Sequence, residues 1–126
     1  MAITYEIDAP RGRIYTTCSG SVMLPQVMAH FDALQRDPNR PARLDVLLDL
    51  TAITSPPEAP QIRAAADRVG LVEDLVFGAC AIVADSEVMF GMARMFEAHA
   101  RGHFAAVRTF RRRADAEEWL DLGSGL

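Results

Sequence analysis

The chain has 126 residues, 50% of them hydrophobic and 24% charged, enough for one domain and the balance of a globular rather than a disordered protein. Its net charge is −4, which speaks against a nucleic-acid binder that relies on broad phosphate neutralisation. All thirteen Lys+Arg positions are arginine, so a Schiff-base lysine, a lysine general base and the phosphate-gripping lysine of a P-loop are excluded.

Ile3, Tyr5 and Ile7 alternate with Thr4, Glu6 and Asp8, the two-residue period of a strand with one wet face. Ala9-Pro10-Arg11-Gly12 is turn chemistry, and residues 13–19 predict a second strand, antiparallel to the first because the link is short. Gly20-Ser21 is read as the strand's end. Pro25 suits the first turn of a helix that carries Val27, Met28, Phe31 and Leu34, with Asp37-Pro38-Asn39-Arg40-Pro41 as its stop. His30 falls on the polar side of that helix and is expected to meet water.

Leu44-Asp45-Val46-Leu47-Leu48-Asp49-Leu50 is nearly continuous apolar sequence, as expected of a strand covered on both faces. Residues 51–59 predict a proline-containing loop. A helix from about Pro60 then presents Ile62, Ala65, Ala66, Val69 and Val72 on one stripe. Residues 78–84 predict a second buried strand, with Asp85 or Ser86 as cap for the next helix. Residues 105–110 give a last strand, and Asp115, Glu117 and Glu118 favour the start of a short helix ending in Trp119-Leu120. The order β-β-α-β-α-β-α-β-α implies an α/β domain over residues 1–126 with a mixed, largely parallel sheet. Residues 123–126 are expected to form a flexible tail.

On a helical wheel, residues 86–102 divide sharply. Met95, Val88, His99, Met92, Phe96, Met89, Ala100 and Ala93 cover roughly 160°, wider than the ~100° stripe a surface helix needs. Glu97, Arg101, Arg94 and Glu87 fill the other side, with Phe90 among them. Tight packing on the sheet, with methionines as gap fillers, is one explanation. The other is that an edge of the arc lines an apolar ligand groove or a homodimer seam.

The segment Phe90-Gly91-Met92-Ala93-Arg94-Met95-Phe96-Glu97 resembles the aromatic-Gly-hydrophobic-Ala-Arg-Met-aromatic-Glu helix of the small bacterial SpoIIAA-like proteins, a STAS-domain family. In that family the helix precedes a strand ending in Val-x-Phe and a helix closing in Ala-x-x-Trp-Leu. Here the matching pieces are Val107-Arg108-Thr109-Phe110 and Ala116-Glu117-Glu118-Trp119-Leu120. The resemblance implies the fold of the anti-sigma factor antagonists, with either regulation by protein binding or uptake of a nonpolar small molecule. The antagonists' phosphorylatable Asp-Ser-Ser-Gly turn is replaced here by Thr51-Ala52-Ile53-Thr54-Ser55-Pro56-Pro57, which leaves Thr54 and Ser55 as candidate regulated positions.

Sequence motifs for catalysis are sparse. Asp49 and Asp85 sit at or beside the carboxyl ends of buried strands, where open α/β sheets bind ligands, but capping explains both. His99 and His103 are four apart without the metalloprotease glutamate. Neither a Gly-x-Ser-x-Gly elbow nor a Gly-x-Gly-x-x-Gly turn is present. Cys18 lacks a basic activator nearby in sequence. Arg108, Arg111, Arg112 and Arg113 form a local basic patch that Asp115, Glu117 and Glu118 partly neutralise. With two cysteines, no hydrophobic signal core and no ~20-residue apolar run, the expectation is a reduced, cytoplasmic, homodimeric binding or regulatory module, not an enzyme, with no cofactor, no metal and no membrane span. The expected partner is a nonpolar small molecule or a regulatory protein. The candidate groove lies between the helix 86–102 and the loop 51–60, lined by Met89, Phe90, Met92 and Phe96.

Overall fold

A tight turn closed by Gly12, at φ +63°, reverses the chain between the first two strands, and its N–H donates to the carbonyl of Ala9 at 3.0 Å. Only glycine enters this left-handed region without steric cost. The structure, a computed structural model, describes residues 2–124. The chain runs β1 (Ala2–Asp8), β2 (Arg13–Ser21), α1 (Leu24–Arg36), β3 (Arg43–Ser55), α2 (Ala59–Val69), β4 (Val76–Val83), α3 (Glu87–Ala100), a single 3-10 turn (Arg101–His103), β5 (Ala106–Phe110) and α4 (Arg113–Ser124). Among the described residues these strands form one sheet in the order β1-β2-β3-β4-β5, antiparallel in the first pair and parallel thereafter. The mixed α/β architecture and its element order are those expected from the sequence periods.

The strand order explains the layers. From β2 onward each strand lies beside its predecessor and the sheet grows in one direction, so crossovers of one hand place α1, α2 and α3 on the same face. There Leu34, Val69, Met89 and Ala93 pack on Ile14, Leu44, Val46, Cys80 and Ile82. The opposite face is left to α4, whose Ala116 and Leu120 meet Leu47, Ala81 and Val83. The alternation of Val46 and Ile82 on one side with Leu47 and Val83 on the other is why β3 and β4 read as continuous apolar runs. α4 is also tied to β2, where buried Arg13 donates from Nη2 to Asp121 at 2.9 Å.

The helices start where their sequences say. In α1 the Gln26 amide oxygen accepts the Met23 N–H at 2.7 Å, and in α2 that of Gln61 accepts the Glu58 N–H at 3.1 Å. Proline occupies the first turn of both, where a missing N–H costs no hydrogen bond. Ser86, rather than Asp85, caps α3 by accepting the Met89 N–H at 3.1 Å. Val72 lies beyond the end of α2, although it still packs against the core. Gly123 and Ser124 fall in α4, while the last two positions of the expected tail, 125 and 126, lie outside the described residues.

Two strands run further than their sequences suggest. Gly20-Ser21 does not end β2, and residues 51–55 are not loop. Gly20, at φ +68°, sits between two register irregularities, and β2 and β3 stay paired through Ala52, Ile53 and Ser55. β4 stops pairing with β3 at Asp49, so the end of β3 projects beyond its neighbour on that side. A side chain at residue 20 would be forced into a left-handed backbone at a cost of roughly 1–2 kcal/mol. Gly20→Val should therefore lower unfolding stability by about that amount in urea titration, while Gly20→Asn, which tolerates this region, should cost clearly less.

Candidate functional site

Three helices over one sheet face do not close completely upon it. A cavity of about 160 Å³ lies between the sheet and α1–α3, lined almost wholly by carbon. The sheet supplies Ile14, Thr16, Cys18, Val46, Leu48, Leu50, Ile53 and Cys80. The helices supply Val27, His30, Phe31, Ile62, Ala65, Met89, Met92 and Phe96. Leu50, Ile53, Pro57 and Gln61 close its end at the carboxyl edge of the sheet, so the extension of β3 past β4 makes part of the wall.

Of the sequence candidates, Met89, Met92 and Phe96 face this cavity and Phe90 does not. The Phe90 ring instead lies under the Arg111 guanidinium, 4.0 Å from carbon to ring centroid, while Arg111 also pairs with Glu87 at 3.1 Å. The reason is the rotation of α3. Its buried residues are Met89, Ala93, Glu97 and Ala100, a face turned by about 70° from the middle of the apolar arc at ~100° per residue. Val88, at the arc's far edge, is 55% exposed, and His99 is exposed rather than within the apolar layer. Glu97, placed by the wheel among solvated charges, is only 8% exposed. The Thr109 hydroxyl donates to it at 3.0 Å and Arg101 at 3.1 Å. A wheel drawn on hydrophobicity alone cannot see that a carboxylate has found a hydroxyl on β5.

His30 is the second correction. It is only partly exposed and stands on the cavity side of α1. Its ring lines the cavity, edge-on between Tyr5 and Phe31 at centroid distances of 5.4 and 5.1 Å. The Tyr5 hydroxyl in turn donates to Asp37 Oδ2, beyond the end of α1, at 2.7 Å, which fixes the aromatic ring beneath the imidazole. Burial drives the His30 pKa down to about 4, because an imidazolium there would lack water. Burial, then the bond to Asp37 and its charge, pushes Tyr5 up to about 12. Spacing held the signal for His30, since it stands three residues after Val27 and four before Leu34, on the face they bury.

The cavity thiols are inert by the same physics. Burial, with a lesser contribution from Asp49, raises Cys18 to about 11, and Cys80 rises further still. Neither forms a disulfide, and thiols so protonated are poor nucleophiles at neutral pH.

The remaining candidates do not converge. Asp49 accepts the N–H and hydroxyl of Thr51 at 2.9 and 2.7 Å and reaches Arg113 at 3.5 Å, while Asp85 stands exposed before α3. Both histidines near the end of α3 are exposed, and the His103 ring leans on Gly70. Among the described residues no group of three or more His, Cys, Asp or Glu is arranged to hold a metal ion. Three of the four patch arginines meet carboxylates, Arg111 with Glu87, Arg112 with Asp115 and Arg113 with Asp49 and Glu117, while Arg108 lies over the Phe110 ring. Thr54 and Ser55 are exposed at the end of β3. Among the described residues no helix is long and apolar enough to cross a membrane. No family model, no curated protein and no solved structure matches the chain.

The His30 titration has a defined sign. Its folded pKa, about 4, lies below the ordinary 6.5, so the unfolded chain takes up the proton first as pH falls. The stability contributed by neutral His30 is complete above pH 6.5 and is lost as pH falls toward 4. The loss is at most on the order of 3 kcal/mol. His30→Phe, which keeps a ring in place, should flatten that part of the stability profile in urea titrations across this window. A variant with the slope of the wild type would place the titration elsewhere.

Proposed function

We propose that this chain is a non-enzymatic, STAS-like binding module that holds a small nonpolar molecule between its sheet and helices α1–α3. The observation that carries this reading is the apolar cavity of about 160 Å³, in an interior where native packing leaves few voids larger than a water. Its walls are almost wholly apolar, so an apolar occupant that displaces water from them is favoured by the hydrophobic effect. Apolar cavities of roughly 150 Å³ remain dry and take up benzene, so the class of ligand is a single ring or short chain rather than a complete lipid. The sequence resemblance supports the same reading, since its STAS-like family is one for which nonpolar ligands have been suggested.

Extraction and native mass measurement of the purified protein should recover a nonpolar molecule of that size, and the same measurement reports whether the chain is dimeric. Val88 and Met95, at the edge of α3 turned away from the sheet, are the residues a second copy would cover. Saturation at a hundredfold over Kd should add about 2.7 kcal/mol to the unfolding free energy, read as a rise in Tm. Ala65→Leu, which fills the cavity from α2, should abolish that rise while leaving the fold intact. If the rise survives the filling, ligands bind elsewhere and the reading fails.

A second reading is favoured by one observation. Thr54 and Ser55 are exposed between Ile53 and Pro57, which line the cavity, so a phosphate there would stand at its border. In this reading the chain is a protein-interaction switch of the antagonist type. Incubation with ATP and lysate from the source cells should then add one phosphate, mapped to residue 54 or 55 by peptide mass. Its absence from both positions removes the switch.

A further inference from the structure

The cavity is not uniformly carbon. Thr16 and Tyr5 are direct cross-strand partners in the β1–β2 register, so their side chains stand on the same face as close neighbours. The His30 imidazole lies edge-on to the Tyr5 ring from above, 5.4 Å between centroids. Thr16 and His30 therefore flank one aromatic ring from the sheet side and the helix side, and both residues line the cavity. Among the described residues no protein group hydrogen-bonds either nitrogen of the half-buried His30. Thr16 is 4% exposed.

We infer that the Thr16–His30 corner is the recognition point of the cavity, and that the ligand is a small nonpolar molecule bearing one uncharged hydrogen-bonding head, an alcohol or phenol. This rests on the cavity reading above and narrows it. A neutral imidazole offers one N–H donor and one bare acceptor nitrogen, and the threonine hydroxyl adds both functions. A hydroxyl head can donate to the imidazole nitrogen and accept from threonine, or the reverse. A pure hydrocarbon filling the same space would seal these groups away from water unpaired, a penalty of roughly ten- to a hundredfold in affinity. A carboxylate is disfavoured for the opposite reason. No arginine lines the cavity, and burial keeps His30 neutral, so an anion would be desolvated without a counter-charge.

The test compares toluene, 4-methylphenol and 4-methylbenzoate, three ligands of nearly one shape, by calorimetric titration into the full chain at neutral pH. Wild type should bind 4-methylphenol about tenfold more tightly than toluene and should not bind 4-methylbenzoate measurably. His30→Phe should erase the preference for 4-methylphenol over toluene, and Thr16→Val should reduce it. Toluene binding with no gain for 4-methylphenol, or a gain that survives His30→Phe, overturns the recognition corner and leaves the apolar cavity standing. Tightest binding of 4-methylbenzoate overturns the uncharged head. If none of the three binds, the cavity reading itself falls and takes this inference with it. Should His30→Phe fail to fold, the imidazole nitrogen resonances of wild type decide. They should move with 4-methylphenol and stay with toluene, and equal responses overturn the assignment.

Discussion

The constraint on which the structure depends is directional. Each parallel strand from β3 to β5 is laid down beside the last, so successive crossovers of one hand leave three helices on one face. Three helices joined to the ends of adjacent strands cannot approach the sheet independently. Their spacing is set by the strands, and their distance from the sheet by the largest side chains between them. Phe31, Phe77, Phe104 and Met89 gather on this face, and Phe77 and Phe104 stand with ring centroids 5.3 Å apart. Bulky groups prop the layers apart and small ones, Ala65 and Ala93, fail to fill what remains. The cavity is the residue of that geometry.

The other face shows the contrast. A single helix, α4, meets Leu47, Ala81 and Val83 through Ala116 and Leu120, with Tyr15, Phe110 and Trp119 at the margin. Its contacts pair Leu47, Ala81 and Val83 of the sheet with Ala116 and Leu120 of the helix, and the aromatic rings stand around them. Polar groups there serve attachment, as in the pair formed by Arg13 and Asp121. The same sheet thus carries an apolar cavity on one face and, on the other, a groove bordered by Asp45, Ala79 and Trp119 beside α4.

The architecture was legible because it depends on period. Strands alternate at two, helices at between three and four, and the buried strands β3 and β4 show as unbroken apolar runs. Met89, Met92 and Phe96 were legible as neighbours for a related reason, since they share one side of a wheel. What period does not encode is phase. The burial of Glu97 is matched by Thr109 lying opposite on β5, which donates to its carboxylate. Likewise the burial of His30 depends on Tyr5, held by Asp37. The length of β3 depended on a left-handed glycine in a different strand. In each case the missing information was a contact between residues distant in sequence, and no local pattern contains it.

The two clusters of apolar side chains lie on opposite sides of one sheet and do not merge. The terminal helix is bound by the smaller of them. Detachment of α4 would expose Leu47, Ala81 and Val83 to water, yet it would leave the chamber on the far side with every wall in place. The domain's cohesion is therefore divided between two apolar layers that share only the strands between them.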